Sequence, residues 1–374
     1  MSKRSRWLNA LRSQWLLVAI FIFLLLFPFI VAALTGSSPT GVPRGDRMIM
    51  RGESVRWQAV FIELFILATL AMSYNLLFGF TGIISFGHAL FFGISGYTLG
   101  LALQFTDLDT GTALVLGIVV GVGLAGLLGL LIGIVSLRVR GVYFAIFTLA
   151  IAEMFFIFFS RLQLTRAEDG FAITQLPVWL DPTQSRLNFY YIALALVVFT
   201  FLLIRRIVNS PTGAVFKAIR ENEERAQAIG YNTLSYKLIA IAISGMLAAS
   251  AGVLQVLLNK KVGPEILSIT YTVDPLLMTI IGGIGTFTGP VIGAASLHLL
   301  DTVLRDQTIV IGSLSVNISS IWGLLLGAVF ITVVMIFPSG IVGTWRTWRL
   351  RWKNRPKRQH KPEVAAQTQL SSTE

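Results

Sequence analysis

No cysteine occurs among the 374 residues, which excludes disulfides and thiolate-bound metals. Histidine is almost as scarce, and His88, His298 and His360 are too scattered to make an HExxH or any comparable metal-ligand spacing. Charged residues are only 13% of the chain, too few to clothe a soluble domain of this size. Nucleotide chemistry is missing as well. Neither GxxxxGKS nor GxxxxGKT is present, and the GGIG cluster at 282–285 lacks the lysine that a phosphate loop uses. Ser85 stands in no nucleophile-elbow context. These absences leave no enzyme constellation, no metal site and no cofactor held by the chain itself.

What the chain has in quantity is hydrocarbon. It is 55% hydrophobic with 26 Phe and 34 Gly, and its apolar runs reach the ~20 residues a helix needs to cross a bilayer. A bilayer offers backbone groups no water, so such runs select helices. The expected class is an all-α polytopic membrane protein. The formal charge of +12 gathers largely at the two chain ends beside apolar spans. There it reads as a positive-inside signal and not as a nucleic-acid footprint.

In chain order, Lys3, Arg4, Arg6 and Arg12 precede an apolar run at 15–34, read as a signal anchor with the N-terminus in the cytoplasm. A polar loop at 35–56 completes an N-terminal unit, 1–56. A membrane-embedded body is expected over 57–343, and a basic, disordered tail over 344–374. Spans are expected at 57–78, with Glu63 inside, and at 111–137, 141–160, 190–204, 238–258 and 318–336. Arg138 and Arg140 mark a cytoplasmic turn. Residues 79–100 are dense in glycine, which points to a close-packed or discontinuous helix. Gly117 with Gly121, and Gly129 with Gly133, have the spacing that lets helices approach closely. The cluster at 282–290 breaks the apolar stretch 275–300. Splitting 266–304 into two short passages or a re-entrant pair returns the tail to the cytoplasm. The total is then about ten passages, with eight to ten compatible with the span length. Residues 78–96 and 280–297 are both glycine-punctuated, an internal echo expected of a repeat whose halves flank a pathway.

Ionisable groups inside spans are rare and costly, which makes Glu63, His88, Glu153 and His298 candidates for function. Each also has a plain structural alternative: an interfacial position, or a hydrogen bond across a helix contact. Tyr143, Thr148 and Glu153 are expected to share a face of their span.

Residues 209–237 form a polar island. Val215, Phe216, Ile219, Ala226 and Ile229 can make an apolar stripe on one helix, with Lys217, Arg220, Glu221, Glu223, Glu224 and Arg225 around it. Pro211 and Thr212 open the pattern and Gly230 closes it. A solvated loop is the alternative, but a capped helix with an uncovered stripe favours docking to a partner.

Four stretches carry a resemblance. They are GFTGIISFGHALFFGISGYTLG at 79–100, GVYFAIFTLAIAEM at 141–154, GAVFKAIRENEERAQAIGYNTLSYKLIAIAISG at 213–245 and LLMTIIGGIGTFTGPVIGA at 276–294. Taken in this order they resemble the LivM-like permease subunits of branched-chain amino acid ABC importers, a family that includes urea and amide permeases. The resemblance implies a bacterial-type inner-membrane protein with both termini cytoplasmic, importing branched-chain or other amino acids. Urea or short amides are the alternative within the family; an ion-coupled transporter or channel is the alternative outside it. It implies four partners besides the lipid bilayer: a LivH-type second permease, two cytoplasmic ATPase subunits that bind the ATP, and an extracytoplasmic solute-binding protein. Lys217, Arg220, Glu221, Asn222, Arg225, Ala226 and Gly230 would belong to the segment coupled to the ATPase. Gly79, Gly82, Ser85, Gly87, His88, Tyr143, Thr148, Glu153, Gly282, Gly283 and Gly285 are the pathway candidates. The chain departs from the family at Ile84 and Phe86, and in LTRAEDGFAI, where only Thr165, Asp169 and Gly170 fit the family pattern.

Overall fold

Hydrocarbon forces each apolar run to satisfy its own backbone, and the chain answers with helices joined by short polar turns. A computed structural model describes residues 15–44, 47–139, 141–304, 308–311, 314–317 and 322–353. The basic N-terminal flank, Arg140, residues 318–321 and the part of the expected tail from 354 lie outside the described residues, while residues 344–353 of that tail are helical and not disordered. Helix α1 (Trp15–Thr35) is followed by a two-stranded hairpin, β1 (Val42–Arg44) with β2 (Arg47–Ile49). Helix α2 (Glu53–Asn75) runs into a π-helical turn, Leu76–Phe80. Then come α3 (His88–Phe105), α4 (Thr110–Ser136), α5 (Val142–Arg161) and α6 (Arg186–Val208). The polar island supplies α7 (Pro211–Glu221) and α8 (Glu223–Ala228). The chain continues through α9 (Thr233–Asn259), α10 (Thr270–Gly282), α11 (Gly289–Leu304), α12 (Trp322–Ile336) and α13 (Gly340–Lys353).

Six described helices are long and apolar enough to cross a membrane, in α1, α2, α4, α5, α6 and α9. The shorter or more polar α3, α10, α11 and α12 join them. The split expected within 266–304 is present: α10 and α11 are two short helices packed on each other across the turn 283–288. Burial places α2 and α9 at the centre, each with 78% of its apolar window covered, and α1 on the rim with 6%. Between 79 and 100 the non-helical break is confined to 82–87, and the later glycines sit inside the regular helix α3.

Packing explains the glycine spacing. A methyl group on Gly117 would lie 2.9 Å from Leu99 Cα, and one on Gly121 would lie 3.1 Å from Ser95 Cα, so this pair seats α4 on α3. Gly129 and Gly133 do the same against Ile241 and Leu238 of α9. Ser95 Oγ donates to the Ala249 carbonyl at 2.7 Å, fixing α3 to α9 where their backbones lie closest.

The rim helix α1 is held through its own defect. Pro28 has no N–H for the Leu24 carbonyl, and the Tyr190 hydroxyl of α6 donates to that oxygen at 2.6 Å. Ser54 Oγ donates to the Pro28 carbonyl at 2.8 Å, and the Phe27 and Phe61 rings sit 4.2 Å apart.

At the end of the bundle away from α7, the loop after α5 pairs β3 (Phe171–Ala172) with β4 (Lys261–Val262). Asp169 lies in a turn, and Asp181 is the anchoring acid of this loop. Its Oδ2 accepts from Lys260 Nζ at 2.9 Å, and its Oδ1 from the Thr183 hydroxyl at 2.6 Å. Burial raises the Asp181 pKa, and the bonds from Thr183 and Lys260 outweigh that and hold it below the ordinary carboxylate value. A depressed folded pKa contributes stability above the unfolded value and loses it as pH falls, so this tie weakens below about pH 4. Lys260→Met should cost about 1–3 kcal/mol. It should also flatten the acid limb of the stability curve, as read by thermal unfolding of the extracted protein across pH.

Candidate functional site

The polar island is two helices rather than one. Ser210 caps α7, its Oγ accepting from Gly213 N at 3.4 Å, and Pro211 occupies the first turn where its missing N–H costs nothing. Asn222 adopts an extended conformation (φ −161°), ends α7 and caps α8, its Oδ1 accepting from Arg225 N at 2.9 Å. Asn232 repeats the device for α9. Val215, Phe216, Ile219 and Ala226 are buried as the stripe predicts, with Phe216 edge-on to Tyr236. Ile229 is the exception, 66% exposed, because α8 ends at Ala228 and Ile229 falls in the turn that follows. Glu223, expected on the solvated face, is drawn to Lys237 of α9 at 2.5 Å and accepts from Thr233. Lys217, Arg220, Glu221, Asn222, Arg225 and Gly230 are exposed. The result is a rigid, capped step that turns a mixed-charge face away from the bundle.

Arg220 also reaches inward. Its Nη1 donates to the Gly79 carbonyl in the π turn. Gly82, at φ 79°, lies along the stem: a methyl there would meet Arg220 Cγ at 3.2 Å and Cα at 3.3 Å. A methyl at Gly285 would overlap the guanidinium. Asn75 grips the same turn from α2, its Oδ1 accepting from Gly285 N and its Nδ2 donating to the Thr286 carbonyl, both at 2.9 Å. The Phe80 and Phe287 rings pack at 5.4 Å. Gly340, the first residue of α13, sits backbone to backbone on Gly283. The two glycine-punctuated stretches that echo each other in sequence therefore meet at one end of the bundle, beside α7. A cavity of about 190 Å³ lies there, lined among others by Gly82, Ile84, Val139, Ile219, Arg220 and Lys237.

Several pathway candidates serve the break after the π turn. Thr148 Oγ1 accepts from Phe86 N at 3.0 Å, Ser85 Oγ from Gly87 N at 3.2 Å, and Thr272 Oγ1 of α10 from Ala89 N at 2.8 Å. Gly87 lies close under the Thr148 backbone. Thr148 does not share a face with Tyr143 and Glu153, contrary to the sequence expectation. Thr148 is buried, whereas Tyr143 is 75% exposed and Glu153 points outward too. Steps of five residues turn a helix by about 140°, too far for one face.

His88 is fully buried where α2, α3 and α9 meet. Ser73 Oγ spends its hydrogen on the Leu70 carbonyl at 2.7 Å, and Ser244 Oγ spends its own on the Ser73 carbonyl at 2.6 Å. Both hydroxyl oxygens are thus left as acceptors for His88 Nε2, at 3.1 and 3.3 Å, which makes this ring nitrogen the protonated one. His298 Nε2 donates to the Val60 carbonyl of α2 at 3.1 Å, a helix-contact role. Glu63 is exposed on α2. Sequence reasoning missed Asn75, Ser73, Ser244 and Thr272. All are small polar residues inside spans, a signal that exists but does not say which helix each would meet.

Residues 58–334 match the model of the family described as branched-chain amino acid transport system permease component. The chain belongs to that family. Among curated relatives, the high-affinity branched-chain amino acid transport system permease protein LivM of Salmonella typhimurium is 25% identical over 263 residues, 63% of this chain and 61% of the relative. LivM of Escherichia coli is 26% identical over 346 residues, 79% of this chain and 80% of the relative. A LivM branched-chain amino acid transport permease protein of Methanocaldococcus jannaschii is 27% identical over 41% of this chain and 46% of its own length. No solved structure matches.

The matched permease region takes in the α10–α11 hairpin, whose glycines have no room for a side chain. A methyl on Gly293 would overlap the Met278 carbonyl, and one on Gly282 would overlap the Gly289 carbonyl. Gly293→Ala and Gly282→Ala should each cost about 1–3 kcal/mol or more, by overpacking. Gly123→Ala, with nothing within 4 Å, should leave stability unchanged or slightly raised. Thermal unfolding of the three extracted variants checks the contrast.

Proposed function

We propose that this chain is the membrane-spanning permease subunit of an importer that moves branched-chain or other amino acids inward on ATP hydrolysed by partner proteins. The observation that carries the reading is the α7–α8 step. It is capped at both helix starts, seated by Val215, Phe216 and Ile219, and turned outward with Lys217, Glu221, Asn222 and Arg225. A lipid-facing element would not carry these charges, and a loose loop would not need the caps. One of two ATPase subunits takes this face, a second permease completes the pathway, and an extracytoplasmic binding protein delivers the solute. The relatives' names support the solute class. In this reading α7 and α8, the turn 283–288 and the start of α13 are cytoplasmic, in a bacterial-type inner membrane. The buried His88, whose Nε2–H is taken up by Ser73 and Ser244, weighs against a proton relay through the bundle.

Reconstitution of the complete complex tests it. Labelled leucine should enter proteoliposomes only when ATP is supplied at the ATPase face and the binding protein at the other. Accumulation by this chain alone on an ion gradient overturns the importer reading; uptake of urea or short amides in place of amino acids overturns the solute class. Because the chain is free of cysteine, Lys217→Cys offers a single thiol. An impermeant maleimide should label it from the cytoplasmic side only, and labelling from outside the cell defeats the topology.

A further inference from the structure

We infer that Arg220 is the positioning residue through which movement of the α7–α8 step reaches the α10–α11 hairpin. The inference rests on the importer reading and goes beyond it, from the surface that receives a partner to the route by which its movement enters the bundle.

Arg220 stands in the last turn of α7, among the residues of the outward face, and is itself exposed. It therefore belongs to both sides of the step. Outside, it is open to whatever presses on α7. Inside, its guanidinium bonds to the Gly79 carbonyl, with Gly82 along its stem and Gly285 against its head. A charge-assisted bond to a backbone carbonyl is directional and stronger than a neutral one, so displacing the arginine pulls on that carbonyl. Gly79 belongs to a π turn, a helical irregularity of the kind often found at functional sites.

From the π turn the connection continues without an apolar gap. Asn75, one turn earlier, holds Gly285 N and the Thr286 carbonyl with both ends of its amide. A methyl at Gly79 would overlap Asn75 Oδ1 and lie 2.7 Å from Gly285 N, so Gly79 packs directly on the Asn75 side-chain amide and the Gly285 backbone. Thr286 Oγ1 donates to the Gly283 carbonyl at 2.8 Å and accepts from Gly289 N at 3.1 Å, which locks the turn to the first residue of α11. Beyond it Gly283 carries the start of α13. A shift of α7 is thus delivered to the hairpin at its tip, where a small displacement swings two short helices together. The glycines at 79, 82 and 285 are then neither pathway wall nor simple packing. They are the clearance that lets an arginine and three backbone segments meet.

Complete importer complexes carrying Arg220→Met, Arg220→Lys, Asn75→Leu or the Arg220→Met/Asn75→Leu pair test this in proteoliposomes. The readouts are ATP hydrolysis, leucine uptake and co-purification of the ATPase subunits. Arg220→Met should keep the ATPases bound and hydrolysing while uptake per ATP falls at least tenfold. Arg220→Lys, which still brings a cationic donor to Gly79, should recover part of that loss. The double variant should be no worse than the more severe single one, because both interrupt one link. Wild-type uptake per ATP in Arg220→Met overturns the inference. So does loss of the ATPases from the complex, which would make Arg220 a docking contact. Multiplying defects in the double variant overturn it too. Failure of the unaltered complex to couple uptake to ATP is a different result and defeats the importer reading instead.

Discussion

Within hydrocarbon a backbone N–H or C=O without a partner costs several kcal/mol, and this constraint organises the molecule wherever the chain leaves the regular helix. Each departure is met by a side chain from another element. Pro28 strands the Leu24 carbonyl, and Tyr190 supplies the donor. The break at 82–87 leaves Phe86 N and Ala89 N unpaired, and Thr148 and Thr272 accept from them. The turn between α10 and α11 is held by the two ends of the Asn75 amide. Breaks that look like loose connections in the sequence are specific joints here, each closed by hydrogen bonds from a side chain of another element.

The joints are not spread evenly. The π turn, the break before α3 and the hairpin turn lie at one end of the bundle, and α7 and the start of α13 come to the same place. Glycine makes that meeting possible, since a side chain at Gly79, Gly285 or Gly340 would collide with a neighbouring backbone. The opposite end is tied differently, by the short β3–β4 pairing and the Asp181–Lys260 ion pair. Irregular backbone at one end and a pinned loop at the other give the bundle a mechanical polarity, and the exposed charges of α7 and α8 sit at the irregular end.

Much of this was legible in the residues. Low charge and long apolar runs specified helices, and the parity of the basic ends demanded that 266–304 be split. The spacing of Gly117, Gly121, Gly129 and Gly133 announced close helix contacts, and the order of the glycine motifs announced the family. The stripe was right at Val215, Phe216 and Ile219. It continued through Ala226 and failed at Ile229, because the second helix, started by the Asn222 cap, ends at Ala228, and periodicity alone does not fix where so short a helix stops. Tyr143, Thr148 and Glu153 failed as a common face because loose spacing was allowed to stand in for helical phase. Asp181 escaped notice because nothing in its neighbours in sequence distinguishes it from a surface turn residue.

Composition and period are local quantities, and they suffice for whatever depends on the solvent: class, helix content, the polar island and its apolar seat. Partners are not local. Asn75 meets Thr286 across 211 positions and His88 meets Ser244 across 156, and no pattern around either residue encodes the other. The sequence alone therefore determined that this chain lives in a membrane, breaks its helices at glycines and turns one charged step outward. Only the tertiary structure decided that two of those breaks face each other and that Arg220 lies between them, because a hydrogen bond is chosen by distance in space.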